Sequence, residues 1–177
     1  RSEAYEIELR GDSFPLNRFL PADSLGLLDL ALQAGGSGFD PLRAQTRGNI
    51  RLQVDRAEFR GRDFGGVELN ANLEGGQLSG RLSDRDEALR LLLLVSGTLT
   101  ERKQEVRLTG NVFDFDLAEL GISPQKIGGS FALEAGASAS DAGSYTARIA
   151  LDSIEVRTRH RTDRIRPTSL SLSSDTT

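Results

Sequence analysis

The sequence predicts a mainly β fold, built as an antiparallel meander with one or two very short helices. Apolar and polar residues alternate in at least eight segments, which is the pattern of strands that bury one face and expose the other. Turn-forming runs such as residues 35–38 and 74–76 separate the segments. Because the connections are short, successive strands are expected to pair antiparallel.

The first half of the chain carries five of these segments. Four of them lie at residues 5–9, 28–34, 50–59 and 67–73. The turn at residues 74–76 then leads directly into a fifth segment at residues 78–82, so the fourth and fifth segments are predicted to form a hairpin.

The second half continues the pattern, with one unusual strand. Residues 89–99 are apolar on both faces between positions 91 and 95. This fits either a central strand covered on both sides or one edge of a contact surface. A buried helix is a third possibility, but Ser96, Gly97 and Thr98 and the alternation that follows argue against it.

Later strands are predicted from the same alternation. Gly110 lies inside the strand at residues 106–112, where a bulge or a close approach of two backbones is expected. Two further strands follow at residues 131–137 and 145–151. The last residues are mostly Ser and Thr, and Leu170 and Leu172 form a final edge strand in this prediction.

Two short segments have apolar residues at helical spacing instead. Residues 15–21 are predicted to form one or two helical turns closed by Pro21. Residues 116–121 are predicted to do the same, with Asp116 as N-cap and Gly121 at the end. Both are too short to be stable alone, so they are expected to cap the end of a sheet.

The length of 177 residues fits one domain. The sequence contains no Met, so we expect an excised or processed segment of a longer protein. The two helical segments lie about 100 residues apart, and each follows a strand ending in Phe. This predicts one β-rich segment, with two degenerate repeats at about residues 1–100 and 101–177 as a possible subdivision.

Composition excludes several classes of function. The formal net charge is −4, from 22 basic and 26 acidic residues mixed along the chain, which makes nucleic acid an unfavourable partner. The absence of Cys excludes disulfides and thiolate sites. The longest uninterrupted apolar run, residues 91–95, is far shorter than the roughly 20 residues of a membrane span.

No catalytic or metal centre is predicted. His160 is the only His and lies between two Arg residues, where an exposed imidazole at a hairpin tip is expected. The acidic clusters at residues 84–87 and 114–119 do not have the ligand spacing of a calcium loop and are interpreted as solvated turns. The sequence therefore predicts a non-enzymatic protein without metal or cofactor.

Two other clusters have compositions that binding sites use. Residues 35–38 lack both glycine patterns that hold phosphate groups, so they are interpreted as a flexible hairpin connection. The basic run at residues 157–166 is able to contact anionic head groups, but it has no aromatic platform and is interpreted as a solvated hairpin.

The order of four motifs resembles a known family. They are residues 17–21 opening into 27–30; residues 36–41; residues 57–61 leading through 67–73 to 76–80; and residues 108–110 with 116–121. Together they resemble the translocation and assembly module protein TamB and its AsmA-like relatives, especially the long forms in Bacteroidetes. The resemblance covers most of residues 12–156.

The resemblance implies a fold and a function. It implies a long β-sheet curled into a trough (β-taco) with an apolar interior, in a periplasmic protein anchored in the inner membrane by a segment outside this sequence. It also implies a role in outer-membrane biogenesis, with phospholipid acyl chains as cargo and an outer-membrane barrel protein as a possible partner. The residues expected to line the groove are Leu28, Leu30, Ile50, Leu52, Val54, Val67, Leu69, Leu108, Phe131, Leu133, Ile149 and Leu151.

Alternation by itself leaves another architecture open. The same Leu, Val and Ile residues are able to fill the closed core of a β-sandwich. In that case the chain is expected to be a binding or structural module of the cell envelope that recognises a protein partner through an exposed edge strand.

Overall fold

The computed structural model describes residues 4–18, 25–140 and 144–174. Strands make up 74% of the structure, which confirms the predicted mainly β class. The described residues form twelve strands: β1 (Ala4–Pro15), β2 (Leu25–Ser37), β3 (Arg47–Phe59), β4 (Arg62–Phe64), β5 (Val67–Glu74), β6 (Gln77–Arg85), β7 (Leu89–Leu99), β8 (Lys103–Asp116), β9 (Gly128–Ser140), β10 (Tyr145–Arg157), β11 (Thr162–Ile165) and β12 (Thr168–Ser174).

All twelve strands belong to one antiparallel sheet, and ten of them pair in chain order. The order is β1-β2-β3-β5-β6-β7-β8-β9-β10-β11. The short strand β4 pairs with the end of β3, ahead of β5, and β12 pairs with β10 beside β11. The predicted meander is therefore confirmed, and its two edges are β1 on one side and β11 with β12 on the other.

The register shifts at five places in the sheet. One lies between Leu25 and Leu28 at the start of β2. The other four are β-bulges near Ser13 in β1, Asp55 in β3, Phe113 in β8 and Ser153 in β10. Ser13 and Ser153 have positive φ angles of 54° and 51°. The four bulged strands run in the same direction, and each bulge lies in the C-terminal half of its strand. All four bulges therefore lie near the same end of the strands. Since a bulge bends its strand, the strands curve along a common line and the open sheet is curled into a trough.

The predicted helical segments are only partly formed. Leu16–Arg18 is a single turn of 3-10 helix, and residues 19–21 lie outside the described residues. Residues 116–121, predicted to form one or two helical turns, form one hydrogen-bonded turn after β8, in which the Leu120 amide donates to the Asp116 carbonyl at 2.9 Å. Asp116 does act as its cap: Oδ1 accepts hydrogen bonds from the Ala118 and Glu119 amides at 2.9 and 3.2 Å. A single turn is not stable as a helix by itself, because starting a helix fixes several residues for one hydrogen bond.

The loop after β8 lies along one end of the sheet. It reaches the β3–β4 hairpin, where Arg60 Nη1 donates to the Gly121 carbonyl at 2.9 Å. Arg62 Nη1 donates to the Glu119 carbonyl at 2.8 Å and to its Oε2 at 2.7 Å. These contacts join strands that are separated in the sheet by β5, β6 and β7.

The sheet has no second layer packed against it within the described residues. The chain exposes 12297 Å² of accessible surface, whereas a compact protein of 19.2 kDa exposes about 8,400 Å². No large side chain among the described residues is fully buried, and the buried apolar side chains are Ala88 and Val112. The closed β-sandwich that alternation left open is therefore not formed by these residues.

Candidate functional site: the apolar face

The strand register aligns eight leucines in one row across the sheet. Residues directly opposite each other in an antiparallel pair point to the same face. The row, called here the leucine row, runs from β1 to β10 through Leu9, Leu32, Leu52, Leu69, Leu82, Leu93, Gly110, Leu133 and Leu151. With neighbouring strands about 4.8 Å apart, nine strands give it a length of roughly 38 Å.

Apolar rows lie on both sides of the leucine row on the same face. One row contains Ile7, Ala34, Ile50, Ala71, Gly80, Val95, Leu108, Ala135, Ile149 and Leu170. The other contains Leu30, Val54 and Val67, and farther along the sheet Leu91, Val112 and Phe131. The three rows together are called here the apolar face.

The twelve residues predicted to line a groove all lie on this side of the sheet. Leu52, Leu69, Leu133 and Leu151 belong to the leucine row. Ile50, Leu108, Ile149, Leu30, Val54, Val67 and Phe131 belong to the flanking rows. Leu28 lies two residues before Leu30 on β2, opposite Ala57. Their role in holding lipid stays a prediction.

Gly110 makes the single gap in the leucine row, and its neighbours explain why. A Cβ atom built there would lie 2.1 Å from the Leu92 carbonyl oxygen and 2.8 Å from the Leu93 Cα. The close backbone approach expected at this glycine is therefore present, between β8 and β7. A larger side chain would push the two strands apart at the centre of the face.

The apolar face is screened mainly by its own side chains. Leu52, Leu69 and Leu82, near the middle of the sheet, are half-buried although no layer covers them. Towards the two edges the screening is lost, since Leu9 is 53% exposed and Leu170 is 71% exposed. An aliphatic chain lying on this face would contact apolar side chains from β1 to β10. Water would be excluded most near the middle of the sheet, where these side chains are most buried.

Several members of the leucine row were not singled out from the sequence. Leu82 was predictable, because the two-residue turn at Gly75 and Gly76 pairs Glu74 with Gln77 and thereby places Leu82 opposite Leu69. Leu93 was not, because all five residues at 91–95 are apolar and alternation cannot assign their faces.

The apolar run in β7 is resolved by its register. Leu92 pairs with Ser83 and Leu94 with Arg81, so both leucines lie on the polar face of the sheet. Leu94 is 48% exposed. A strand covered on both sides is therefore wrong for the described residues, and a contact surface at this position stays a prediction.

Asp84 corrects the interpretation of residues 84–87 as a solvated turn. It pairs with Leu91 on the apolar side of β6, and only 9% of its surface is exposed. Its Oδ1 accepts a hydrogen bond from the Asp86 amide at 2.9 Å. Burial raises the pKa of the Asp84 carboxyl above its ordinary value, although the Asp86 amide opposes this shift. Strand alternation continues through Arg85, which is why Asp84 points to the apolar side.

Several other polar groups among the described residues are held in ion pairs. Asp114 forms an ion pair with Arg157, and Glu119 forms one with Arg62. His160 is exposed in the turn between β10 and β11, as predicted. Within residues 4–18, 25–140 and 144–174, no three His, Cys, Asp or Glu side chains are grouped to hold a metal ion. No helix in this part of the chain is long and apolar enough to span a membrane.

Comparison with known proteins adds no relative. The chain matched no protein-family model, no curated protein and no solved structure.

Proposed function

We propose that this chain is a non-enzymatic segment of an envelope-spanning, periplasmic protein of the TamB and AsmA-like type, whose apolar face carries phospholipid acyl chains. The observation that supports the proposal is the leucine row, which crosses nine strands without a covering layer in the described residues. The motif order described above supports the family, and the same parent protein would support outer-membrane assembly.

The dimensions of the face suit an acyl chain. The hydrocarbon core of a bilayer is about 30 Å thick, so one leaflet contributes chains of about 15 Å. The leucine row, at roughly 38 Å, is longer than one such chain and leaves room for a lipid to move along it. Each CH₂ group removed from water contributes about 0.8 kcal/mol, while the head group remains in solvent at the rim.

Lipid extraction tests the proposal directly. The 177-residue chain is purified without detergent, and its organic extract is analysed by mass spectrometry. We expect bound phospholipid, and we expect Leu133→Asp, in the leucine row, to remove it. Glu134→Gln is a matched control, because Glu134 is the next residue in β9 and lies on the polar face opposite Thr109. A wild-type chain that neither retains phospholipid nor binds added fluorescent phospholipid would exclude this function.

A protein-binding module is the second candidate. Strand β1 is paired on one side by β2, and Ile7 and Leu9 at this edge are 52% and 53% exposed. An edge of this kind accepts an added strand from a partner. A discrete protein captured from envelope extracts, together with new protection of the β1 amides against hydrogen exchange, would favour this candidate over the first.

A further inference from the structure

We propose that the hairpin between β10 and β11, together with the edge strand β12, docks on the surface of an anionic membrane. Residues 157–166, called here the basic hairpin, contain five Arg and one Asp and carry a net charge of +4. The whole chain carries −4, so the charge of this hairpin is opposite in sign to that of the remaining residues. The charge argument rests on the basic hairpin alone, although Leu170 in the docking edge also belongs to the apolar face.

Several acidic groups near the basic hairpin already have cationic partners. Asp114 forms an ion pair with Arg157, and Glu155 Oε1 lies 4.0 Å from Arg157 Nε. Glu119, in the loop after β8, is held by Arg62 at 2.7 Å. Asp114 and Glu119 are therefore already paired, whereas Glu155 is opposite Arg164 in the strand pairing and Glu87 lines the same pocket as Arg159. The hairpin still carries more positive than negative charge.

Three arginines remain available to an external anion. Arg161 Nε is 2.7 Å from Asp163 Oδ2 and is paired within the hairpin. Arg159, Arg164 and Arg166 are exposed and form no ion pair within the described residues. Because a guanidinium presents several N–H donors in a fixed plane, each of the three is suited to the phosphate group of a lipid.

Exposed apolar side chains adjoin these arginines along the same edge of the sheet. Ile165 in β11 is 50% exposed, and Leu170 and Leu172 in β12 are 71% and 60% exposed. Register places all three on the side of the sheet that carries the apolar face, opposite Ile154, Ile149 and Ala147. Arg164, opposite Glu155, lies on the other face, so the cationic and apolar groups share the edge of the sheet and not one face. Cationic and apolar groups along one edge are a combination that binds the interface of an anionic bilayer.

The same features fit nucleic acid less well. Residues 157–166 contain no Phe, Tyr or Trp on which a base could stack. The exposed apolar edge would gain nothing from a phosphodiester backbone, whereas it gains free energy when it enters the interfacial region of a bilayer. The observations therefore favour a membrane surface as the occupant.

Vesicle binding tests the inference with the complete 177-residue chain. Sedimentation is measured with vesicles of phosphatidylcholine alone and with vesicles that also contain phosphatidylglycerol, at low and high salt. The variant combines Arg159→Gln, Arg164→Gln and Arg166→Gln. The control combines Arg81→Gln, Arg90→Gln and Arg102→Gln, which removes three exposed arginines that also form no ion pair in the described residues.

We expect binding that requires phosphatidylglycerol and weakens in high salt. Each arginine near an anionic surface contributes roughly fivefold, so the hairpin variant should lower the partition coefficient on the order of 100-fold. The control variant should change it little. Equal losses in both variants, equal binding to phosphatidylcholine alone, or no vesicle binding by the wild-type chain would each overturn the inference. So would binding of a single-stranded oligonucleotide that depends on the same three arginines.

Discussion

Replacing Leu69 by Asp separates an open apolar face from a closed core. Leu69 is at the middle of the leucine row, opposite Leu52 and Leu82, and is half-buried. Complete burial of a Leu side chain contributes about 1.5–3 kcal/mol, so a half-buried Leu contributes about 1 kcal/mol. The lower strand propensity of Asp costs up to about 1 kcal/mol more. We therefore expect Leu69→Asp to lower the free energy of unfolding by about 2 kcal/mol.

The expected loss of stability is smaller than for an ordinary core substitution, because the new side chain remains in contact with water. On an uncovered face the new carboxylate stays in contact with solvent, so the larger cost of burying an unpaired charge does not arise. Val112 offers the contrast on the same face, because its side chain is 7% exposed. Val112→Asp should lower the free energy of unfolding by about 4 kcal/mol or more and leave little folded protein.

Urea denaturation followed by far-ultraviolet circular dichroism measures both changes. Asn70→Asp is the matched control, since it adds the same charge at the next position of β5 but on the polar face. Leu69→Asp should remain folded and should fail to bind phospholipid, while Asn70→Asp should keep both properties. In the envelope-spanning parent proposed above, Leu69→Asp should block the proposed function.

Two results would refute this reasoning. Complete unfolding of the chain by Leu69→Asp would mean that the residue is sealed from water, as in a closed core. Normal folding with unchanged phospholipid binding and envelope function would mean that the leucine row does not hold lipid.

Three further predictions concern single positions. Gly110→Ala should lower the free energy of unfolding by several kcal/mol in urea denaturation, on the order of 3, because its Cβ would lie 2.1 Å from a carbonyl oxygen. Gly136→Ala should be close to neutral, since the nearest atom to its Cβ is 3.8 Å away, and equal losses would contradict the close approach. The raised pKa of Asp84 favours the protonated folded state, so wild-type stability relative to Asp84→Asn should fall as pH rises from the ordinary value of 3.8 through the raised pKa. A stability difference between the wild type and Asp84→Asn that does not change with pH would contradict the raised pKa of Asp84. His160→Ala should alter neither the unfolding midpoint nor any activity of the parent, and a metal affinity lost in that variant would contradict the exposed position.

The strands and their order were accessible from local sequence, because alternation and turn residues act over a few positions. The turn at Gly75 and Gly76 sets the pairing of β5 with β6, and this in turn aligns Leu69 with Leu82. The extent of the turn at residues 116–121 was not predictable, since Asp116 satisfies the N-cap pattern yet the chain continues for one turn only. A cap satisfies backbone donors but does not supply the packing that extends a helix.

Sequence alone therefore determined which residues alternate, which turns join them, and that twelve predicted lining residues belong to one side of a sheet. Tertiary structure decided three things that no local pattern contains. It placed Leu92 and Leu94 on the polar face and Asp84 on the apolar side, because strand register depends on pairing with distant residues. It aligned the four bulges near the same end of the strands. It left the apolar face uncovered in the described residues, because alternation specifies which side chains share a face but not whether a second layer packs against that face.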